Sequence, residues 1–139
     1  MSGFVLDASV ALRWFLDHPM PVYANRVKQF FLRRVRAAVP ALWHLEMSSS
    51  LAAAERRSIL TTADVDQAMI DIEQIVAQAV DTDSIVVSAR QSLATARAFR
   101  LSAYDAVYLD LARRERLPLA TLDDRLRNAA AHAGVELLR

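Results

Sequence analysis

The chain has 139 residues, of which 54% are hydrophobic, two are glycine and none is cysteine. This composition excludes a disordered or low-complexity chain and predicts one folded domain over residues 1–139. Without cysteine there are no disulfide bonds or thiolate metal sites, which agrees with a cytoplasmic location. No run of 18 apolar residues and no basic-then-apolar leader occurs, so neither a membrane span nor a signal peptide is expected.

The net charge of +1 conceals an uneven distribution of basic residues. Between residues 18 and 45 there is no acid, and five basic side chains cluster there: Arg26, Lys28, Arg33, Arg34 and Arg36. Because the planar guanidinium group of arginine suits phosphate, this arginine run is interpreted as a contact surface for RNA. The alternative interpretation is a solvated helix face.

Short apolar stretches alternate with helical patterns along the chain. Strands are predicted over residues 3–7, 37–39, 79–80, 117–120 and 135–137. Helices are predicted over residues 8–17, 20–34, 41–57, 63–77, 84–99, 103–115 and 123–132. Thr62 and Ser102 are expected to cap the fourth and sixth helices, and the sixth carries an apolar stripe of Tyr104, Val107, Tyr108 and Leu111. This alternation predicts an α/β fold with a parallel sheet and helices on both faces.

Four acidic residues fall where a parallel α/β sheet would gather them. Asp7 and Asp123 each follow a short apolar strand, Asp105 begins an amphipathic helix, and Glu46 lies in an otherwise apolar helical stretch. Ligands of such sheets bind beyond the carboxyl ends of the strands, and converging carboxylates repel one another unless a cation joins them. The pattern therefore predicts a hard divalent cation with oxygen ligands and metal-assisted phosphodiester hydrolysis.

Each acid also has a purely structural explanation. Asp7 and Asp123 are placed to cap the helices that follow them. Asp105 completes a capping box with Ser102, and Glu46 suits an exposed edge of its helix. Hydroxyl groups occur near the strand-end acids at two positions, Ser9 and Thr121. They are predicted to orient the carboxylates or a metal-bound water, and the alternative is that they cap helices.

Three stretches carry a resemblance to a known family. Residues 5–12, VLDASVAL, resemble the opening of PIN-domain ribonucleases, in particular the VapC-type toxins of bacterial toxin–antitoxin pairs. Residues 101–109, LSAYDAVYL, are similar to the third acidic motif of the family, and residues 119–123, LATLD, to its T-x-D motif. The second motif is matched less specifically, by Pro40 and then Glu46. The resemblance extends over the whole chain.

The resemblance implies a three-layer α/β/α fold and an endoribonuclease in which Mg²⁺ or Mn²⁺ activates water. It implies that the metal is held directly or through water by Asp7, Glu46, Asp105 and Asp123. It also implies a homodimer and a VapB-type antitoxin that occludes the acidic site. Ser49 stands where the family often carries asparagine, so amide support is lost there, and Asp124 leaves open which acid of the pair serves the metal.

Two other functions fit parts of the sequence. A phosphatase or receiver domain needs a lysine near its strand-end aspartate, and the only lysine, Lys28, is predicted to lie in a helix far from any strand end. A non-catalytic PIN-like module would bind RNA or a protein through the arginine run, although all four acids are retained. Four aromatic residues either pack in the core or form a dimer or antitoxin groove: Trp14, Phe15, Phe30 and Phe31.

Overall fold

A computed structural model describes residues 2–139. A parallel sheet forms the centre of the fold. Its strands are β1 (Gly3–Leu6), β2 (Arg36–Val39), β3 (Val80–Thr82) and β4 (Leu119–Ala120). Their spatial order across the sheet is β3-β2-β1-β4. Val5 in β1 pairs with Ala38 on one side and Leu119 on the other. Because every neighbouring pair is parallel, the carboxyl ends of all four strands meet at one edge of the sheet.

The helices flank this sheet and complete a three-layer α/β/α fold, as the sequence predicts. They are α1 (Ala8–Ala11), α2 (Arg13–Leu16), α3 (Val22–Gln29), α4 (Leu42–Arg56), α5 (Thr62–Ala79), α6 (Ala89–Phe99), α7 (Ala103–Glu115) and α8 (Asp124–Ala133). A 3₁₀ turn over Phe30–Arg33 follows α3. Within residues 2–139, no helix is both long enough and apolar enough to cross a membrane.

The first two predicted helices are less regular than expected. The segment 8–17 divides at Leu12 into α1 and α2, although Leu12 itself keeps helical dihedral angles. The predicted helix over 20–34 is α3 followed by the 3₁₀ turn. Arg34, with a φ of 59°, ends that turn in the left-handed conformation that commonly terminates helices.

Helices α5 and α6 begin at caps that differ from the predicted ones. Thr61, rather than Thr62, caps α5 and forms a reciprocal capping box with Asp64. The predicted helix over 84–99 starts only at Ala89, because Ser88 caps it and three β-branched residues precede that cap. Such residues lose side-chain freedom in a helix and favour extended backbone.

The predicted strand over 135–137 is reduced to one parallel bridge between Leu137 and Leu119. Two backbone hydrogen bonds hold it: the Leu119 N–H donates to Glu136 O at 2.9 Å, and the Leu138 N–H donates to Leu119 O at 2.9 Å. Strand β4 is only two residues long, so it offers no further partners for a longer ladder.

Aromatic side chains of the first helical segments pack against β1. The ring of Phe31 lies 6.0 Å from that of Phe4 and 5.7 Å from that of Trp14, measured between centroids. Phe30 lies 5.9 Å from Phe4, and Phe15 packs against the same core from a half-buried position. Trp14 is only 7% exposed. Core packing therefore explains Trp14, whereas Phe15, Phe30 and Phe31 are half-buried, and their part in a dimer or antitoxin groove stays a prediction.

Candidate active site

A cleft of about 540 Å³ opens at the carboxyl edge of the sheet, and all four predicted acids line it: Asp7, Glu46, Asp105 and Asp123. The strand ends explain two of these positions, because Asp7 directly follows β1 and Asp123 comes three residues after β4. Helix α4 contributes Glu46 and the first turn of α7 contributes Asp105. Residues separated by more than 100 positions in sequence are thus brought into one cleft.

Asp7 is buried, and two hydroxyl groups hold one of its carboxylate oxygens. Ser9 Oγ donates to Asp7 Oδ2 at 2.7 Å, and Thr121 Oγ1 donates to the same oxygen at 2.6 Å. Asp7 stands at the N-cap position of α1 but makes no side-chain cap bond of good geometry there, so the two hydroxyl groups, rather than helix capping, hold this carboxylate. Its Oδ1 accepts no hydrogen bond of good geometry within residues 2–139.

The same hydroxyl groups tie Asp7 to the turn that carries Asp123. Ser9 Oγ accepts a hydrogen bond from the Leu122 N–H at 3.0 Å. Thr121 Oγ1 accepts one from the Asp123 N–H at 3.0 Å. Each hydroxyl therefore donates to a carboxylate and accepts from the backbone, which fixes both its orientation and the position of Asp7 relative to Asp123.

Glu46 is held by a tyrosine that lies deeper in the protein. The Tyr108 hydroxyl donates to Glu46 Oε1 at 2.7 Å, and Tyr108 is 0% exposed. Glu46 itself is half-buried, so the exposed-edge explanation does not describe it. Tyr108 is the site residue that the sequence pattern missed, because its position in the apolar stripe of α7 accounts for it fully. The available signal was its spacing three residues after Asp105, which places both side chains on one helix face.

Helix capping accounts for some of the hydrogen bonds around the other two acids, Asp105 and Asp123. Asp123 Oδ1 accepts from the Leu126 N–H at 2.9 Å, so this carboxylate does cap α8, while its Oδ2 has no hydrogen-bond donor in the described part of the chain. Ser102 caps α7 by accepting from the Asp105 N–H at 3.1 Å. Among the described residues, the Asp105 carboxylate makes no reciprocal bond to the Ser102 N–H, so only half of the predicted capping box forms.

Burial raises the pKa of three of the acids above the usual carboxyl range: Asp7, Glu46 and Asp105. The neighbouring negative charges raise these pKa values further. The charge of Asp123 acts on both Asp7 and Asp105, and the charges of Asp7 and Asp105 act on Glu46. Hydrogen bonds from the hydroxyl groups described above oppose this increase at Asp7 and Glu46. The cleft therefore carries repelling negative charge that a cation would relieve.

The donor atoms of the cleft fit a hard divalent cation. Carboxylates and serine hydroxyls supply only oxygen, which is what Mg²⁺ and Mn²⁺ prefer, and no histidine lines the cleft in the described part of the chain. Ser49 lines the cleft and offers a hydroxyl group, whereas Asp124 is exposed and is not among the lining residues. Within residues 2–139, no three acidic or histidine side chains are close enough together to enclose an ion as they stand.

The arginine run is not gathered at this cleft. Arg36 begins β2, at the opposite edge of the sheet, and donates two hydrogen bonds to Asp81, each 2.9 Å long. Lys28 lies over the Trp14 ring and Arg33 over the Phe30 ring. The remaining members, Arg26 and Arg34, are exposed. An RNA-binding role for this run stays a prediction.

The PIN domain family matches residues 4–132, so the chain belongs to that family. PIN domains are generally metal-dependent nucleases and typically use divalent ions such as Mg²⁺. The crystal structure of PAE2754 from Pyrobaculum aerophilum is similar, with a TM-score of 0.69 and 20% identity over 91% of this chain and 84% of that chain. This similarity supports the fold. No curated protein matches the chain.

Proposed function

We propose that the protein is a metal-dependent endoribonuclease and acts as the toxin of a toxin–antitoxin pair. One observation carries the nuclease assignment. Three carboxylates that line one cleft each have one oxygen held by a protein donor and a second oxygen without a donor in the described part of the chain: Asp7, Glu46 and Asp123. Helix capping accounts for this arrangement at Asp123 but not at Asp7 or Glu46, whose held oxygens accept from side-chain hydroxyl groups. Open carboxylate oxygens that line one cleft suit a hard divalent cation.

Asp7, Glu46, Asp105 and Asp123 would hold the ion directly or through water. A bound Mg²⁺ or Mn²⁺ supplies Lewis-acid stabilisation of charge on the phosphate and acidifies water. Ser9, Thr121 and Tyr108 orient two of the carboxylates before any ligand arrives, which lowers the side-chain entropy lost on binding.

No lysine or histidine side chain in the described part of the cleft lining competes with the carboxylates as a proton acceptor. His44 lies on α4 with Glu46, but its Nε2 pairs with Thr82 Oγ1 at 2.8 Å at the end of β3. His44 therefore does not line the cleft, and proton removal from the attacking water is assigned to the acidic cluster.

Two exposed side chains at the cleft support RNA and antitoxin as partners. Tyr104 is 68% exposed beside Asp105 and offers a ring on which an unpaired base can stack. Leu45 is 72% exposed, one residue before Glu46. An apolar rim around buried acids suits an antitoxin segment that combines apolar and basic side chains, because such a segment would both cover and neutralise the cleft.

The spacing of the acids favours one alternative function. Because no three of the described acids enclose an ion as they stand, a non-catalytic PIN-like module that binds RNA or protein is the second candidate. Such a module would bind RNA without metal-dependent cleavage.

The deciding experiment incubates the purified protein with defined single-stranded RNAs and Mn²⁺, with and without chelator, and maps the new ends. We expect internal cuts that the chelator abolishes and that Asp7→Asn does not make. Asp124→Asn is the matched control, because Asp124 is exposed and does not line the cleft. RNA binding without any cut by clean wild-type protein would favour the binding module, and cleavage by Asp7→Asn at the wild-type rate would point to a contaminating nuclease.

A further inference from the structure

The acidic cleft poses an electrostatic problem for the proposed RNA substrate. Four carboxylates line it, and each nucleotide of the substrate brings a negatively charged phosphate. A nuclease that binds such a strand needs cations close to the acids that hold the backbone on either side of the cut. No member of the predicted arginine run lines the acidic cleft in the described part of the chain, and Arg36 is paired with Asp81 at the other edge of the sheet.

A second cavity of about 540 Å³ lies between the end of α6 and the face of α8. Its polar lining is Arg100, Arg125, Asn128 and His132, and its apolar lining includes Phe99. No acidic residue of the described chain lines it. Neither arginine forms a salt bridge within residues 2–139. We call this cavity the basic groove.

The walls of the basic groove are the chain segments that lead to two of the acids. Arg125 lies in the first turn of α8, two residues after Asp123. Arg100 ends α6, five residues before Asp105. Arg125 is also close enough to Asp105 for attraction between their charges. The basic groove therefore borders the acidic cleft on the α7–α8 side.

We propose that the basic groove binds the sugar-phosphate backbone of the RNA strand whose scissile phosphate enters the acidic cleft; this assignment rests on the proposed ribonuclease function. Arginine donates to phosphate through a planar fork, and the ring of Phe99 gives an apolar surface for a ribose or base. Arg113 lies over one face of that ring, 5.4 Å from its centroid, and does not line the groove, so only the part of the ring that lines the groove is offered to RNA.

The chain offers closely matched controls for this assignment. Arg100 and Arg116 are both exposed, end their helices and have left-handed φ angles of 56° and 55°, a conformation that asparagine tolerates. Arg125 and Arg56 are both exposed helical residues, and Arg56 lies ten residues beyond Glu46, about 15 Å along α4. The groove variant is Arg100→Asn with Arg125→Gln, and the control variant is Arg116→Asn with Arg56→Gln.

Binding is measured by fluorescence anisotropy with two labelled single-stranded RNAs of unrelated sequence, in chelator so that no cleavage occurs. We expect the groove variant to bind both RNAs more weakly than the control variant does, by a similar factor. Its slope of log affinity against log salt should be shallower by about 1.4, since each phosphate contact on a single strand contributes about 0.7. Urea unfolding and Mn²⁺ titration of both variants show that fold and metal binding are retained.

Equal affinity of the groove and control variants would overturn the assignment while leaving the nuclease intact, provided that the wild type still binds and cuts RNA; the groove would then be free for a protein partner. Weaker binding to only one of the two RNAs would also overturn it, because the groove would be reading bases. A wild-type protein that neither binds nor cuts RNA would remove the proposed function and this assignment together.

Discussion

Tyr108 controls Glu46 from a position with no access to solvent. We expect Tyr108→Phe to keep the fold, because the buried ring remains, and to release the Glu46 carboxylate from its only hydrogen-bond donor among the described residues. Loss of such a supporting contact typically weakens metal binding by about 10- to 100-fold. Mn²⁺ titration calorimetry measures this directly, with Tyr104→Phe as the control on the exposed side of the same helix.

Unchanged Mn²⁺ affinity in Tyr108→Phe, together with lower unfolding free energy, would make the tyrosine a purely structural residue. The Mn²⁺ affinity and the free energy of unfolding are measured on the same sample, so no second-site variant is required to interpret the result.

The pKa shifts in the cleft predict how stability depends on pH in the absence of metal. The pKa values of Asp7, Glu46 and Asp105 are higher in the folded protein than in the unfolded chain, mainly because of burial. Between the ordinary and the raised pKa values, the folded state therefore binds more protons than the unfolded state. The free energy of unfolding should fall as pH rises through that window. Urea unfolding at several pH values in chelator gives this slope.

Asp7→Asn should flatten the pH dependence, because the amide cannot ionise. It should also keep or increase the metal-free stability at neutral pH, by up to about 1.4 kcal/mol for each pKa unit relieved. Asp64 and Asp81 have lowered pKa values because of their hydrogen bonds to Thr61 and Arg36, and they make stability rise with pH below the ordinary carboxyl range. The test is therefore the difference between wild type and Asp7→Asn above that range, and identical pH profiles would contradict the picture of crowded, buried carboxylates.

At the level of single residues, the sequence predicted which acids lie in the cleft better than it predicted which side chains they contact. Asp7 and Asp123 were recognisable because they follow strands, and parallel strands bring such residues to one edge. Ser9 and Thr121 do hold the Asp7 carboxylate, and their supporting role in a metal site stays a prediction. Tyr108 was not recognisable as a site residue, because apolar periodicity accounts for a buried tyrosine without revealing where its hydroxyl points.

For the helices and strands, the accuracy of the predicted bounds depended on whether the capping residues were recognised. The apolar period placed α4 and α7 within a residue of their observed bounds. The same apolar period predicted that α6 begins at residue 84 rather than at Ala89, because it does not account for the β-branched residues before Ser88. The pairing of β4 with the last residues of the chain depends on how long β4 is, and that length is set by tertiary contacts rather than by local preference.

The cap of α5 provides a test with a built-in control. We expect Thr61→Ala to lower the free energy of unfolding by about 1 kcal/mol, because it removes the hydroxyl that accepts from the Asp64 N–H at 3.0 Å. Thr62→Ala should change stability little, since Thr62 only begins the helix. Urea unfolding of both variants is sufficient, and a larger loss from Thr62→Ala would show that the cap lies one residue later.

For the whole molecule, divalent metal should stabilise the fold, because an ion that binds only the folded state shifts the unfolding equilibrium. At about 100 times its dissociation constant, Mn²⁺ should add about 2.7 kcal/mol to the free energy of unfolding. Thermal unfolding with and without Mn²⁺ measures the effect, and Ca²⁺ serves as a second hard cation. We expect Asp7→Asn and Asp105→Asn to lose most of it, and equal gains in these variants and the wild type would place the bound ion elsewhere.

An exposed apolar segment gives the homodimer that the resemblance implies a specific surface to test. Ile85, Val86 and Val87 follow β3 on the surface, and Val86 is 88% exposed. If this segment lies in the dimer contact, Val86→Asp should shift the protein towards monomer, because a charge buried in an interface is costly. Light scattering after size exclusion reports the mass. Ile59→Asp, at another exposed apolar position, is the control, and a dimer unaffected by Val86→Asp would move the contact to a different face.

The hydrogen bond between Thr121 and Asp7 joins residues 114 positions apart, and it has a consequence for how the protein is made. Asp7 and Glu46 are translated before Asp105, Thr121 and Asp123. A nascent chain that has not reached Asp105 thus lacks two of the four cleft acids and one of the two hydroxyl groups that hold Asp7. For a protein proposed to cut RNA, we expect such an unfinished polypeptide to be inert beside the message that encodes it.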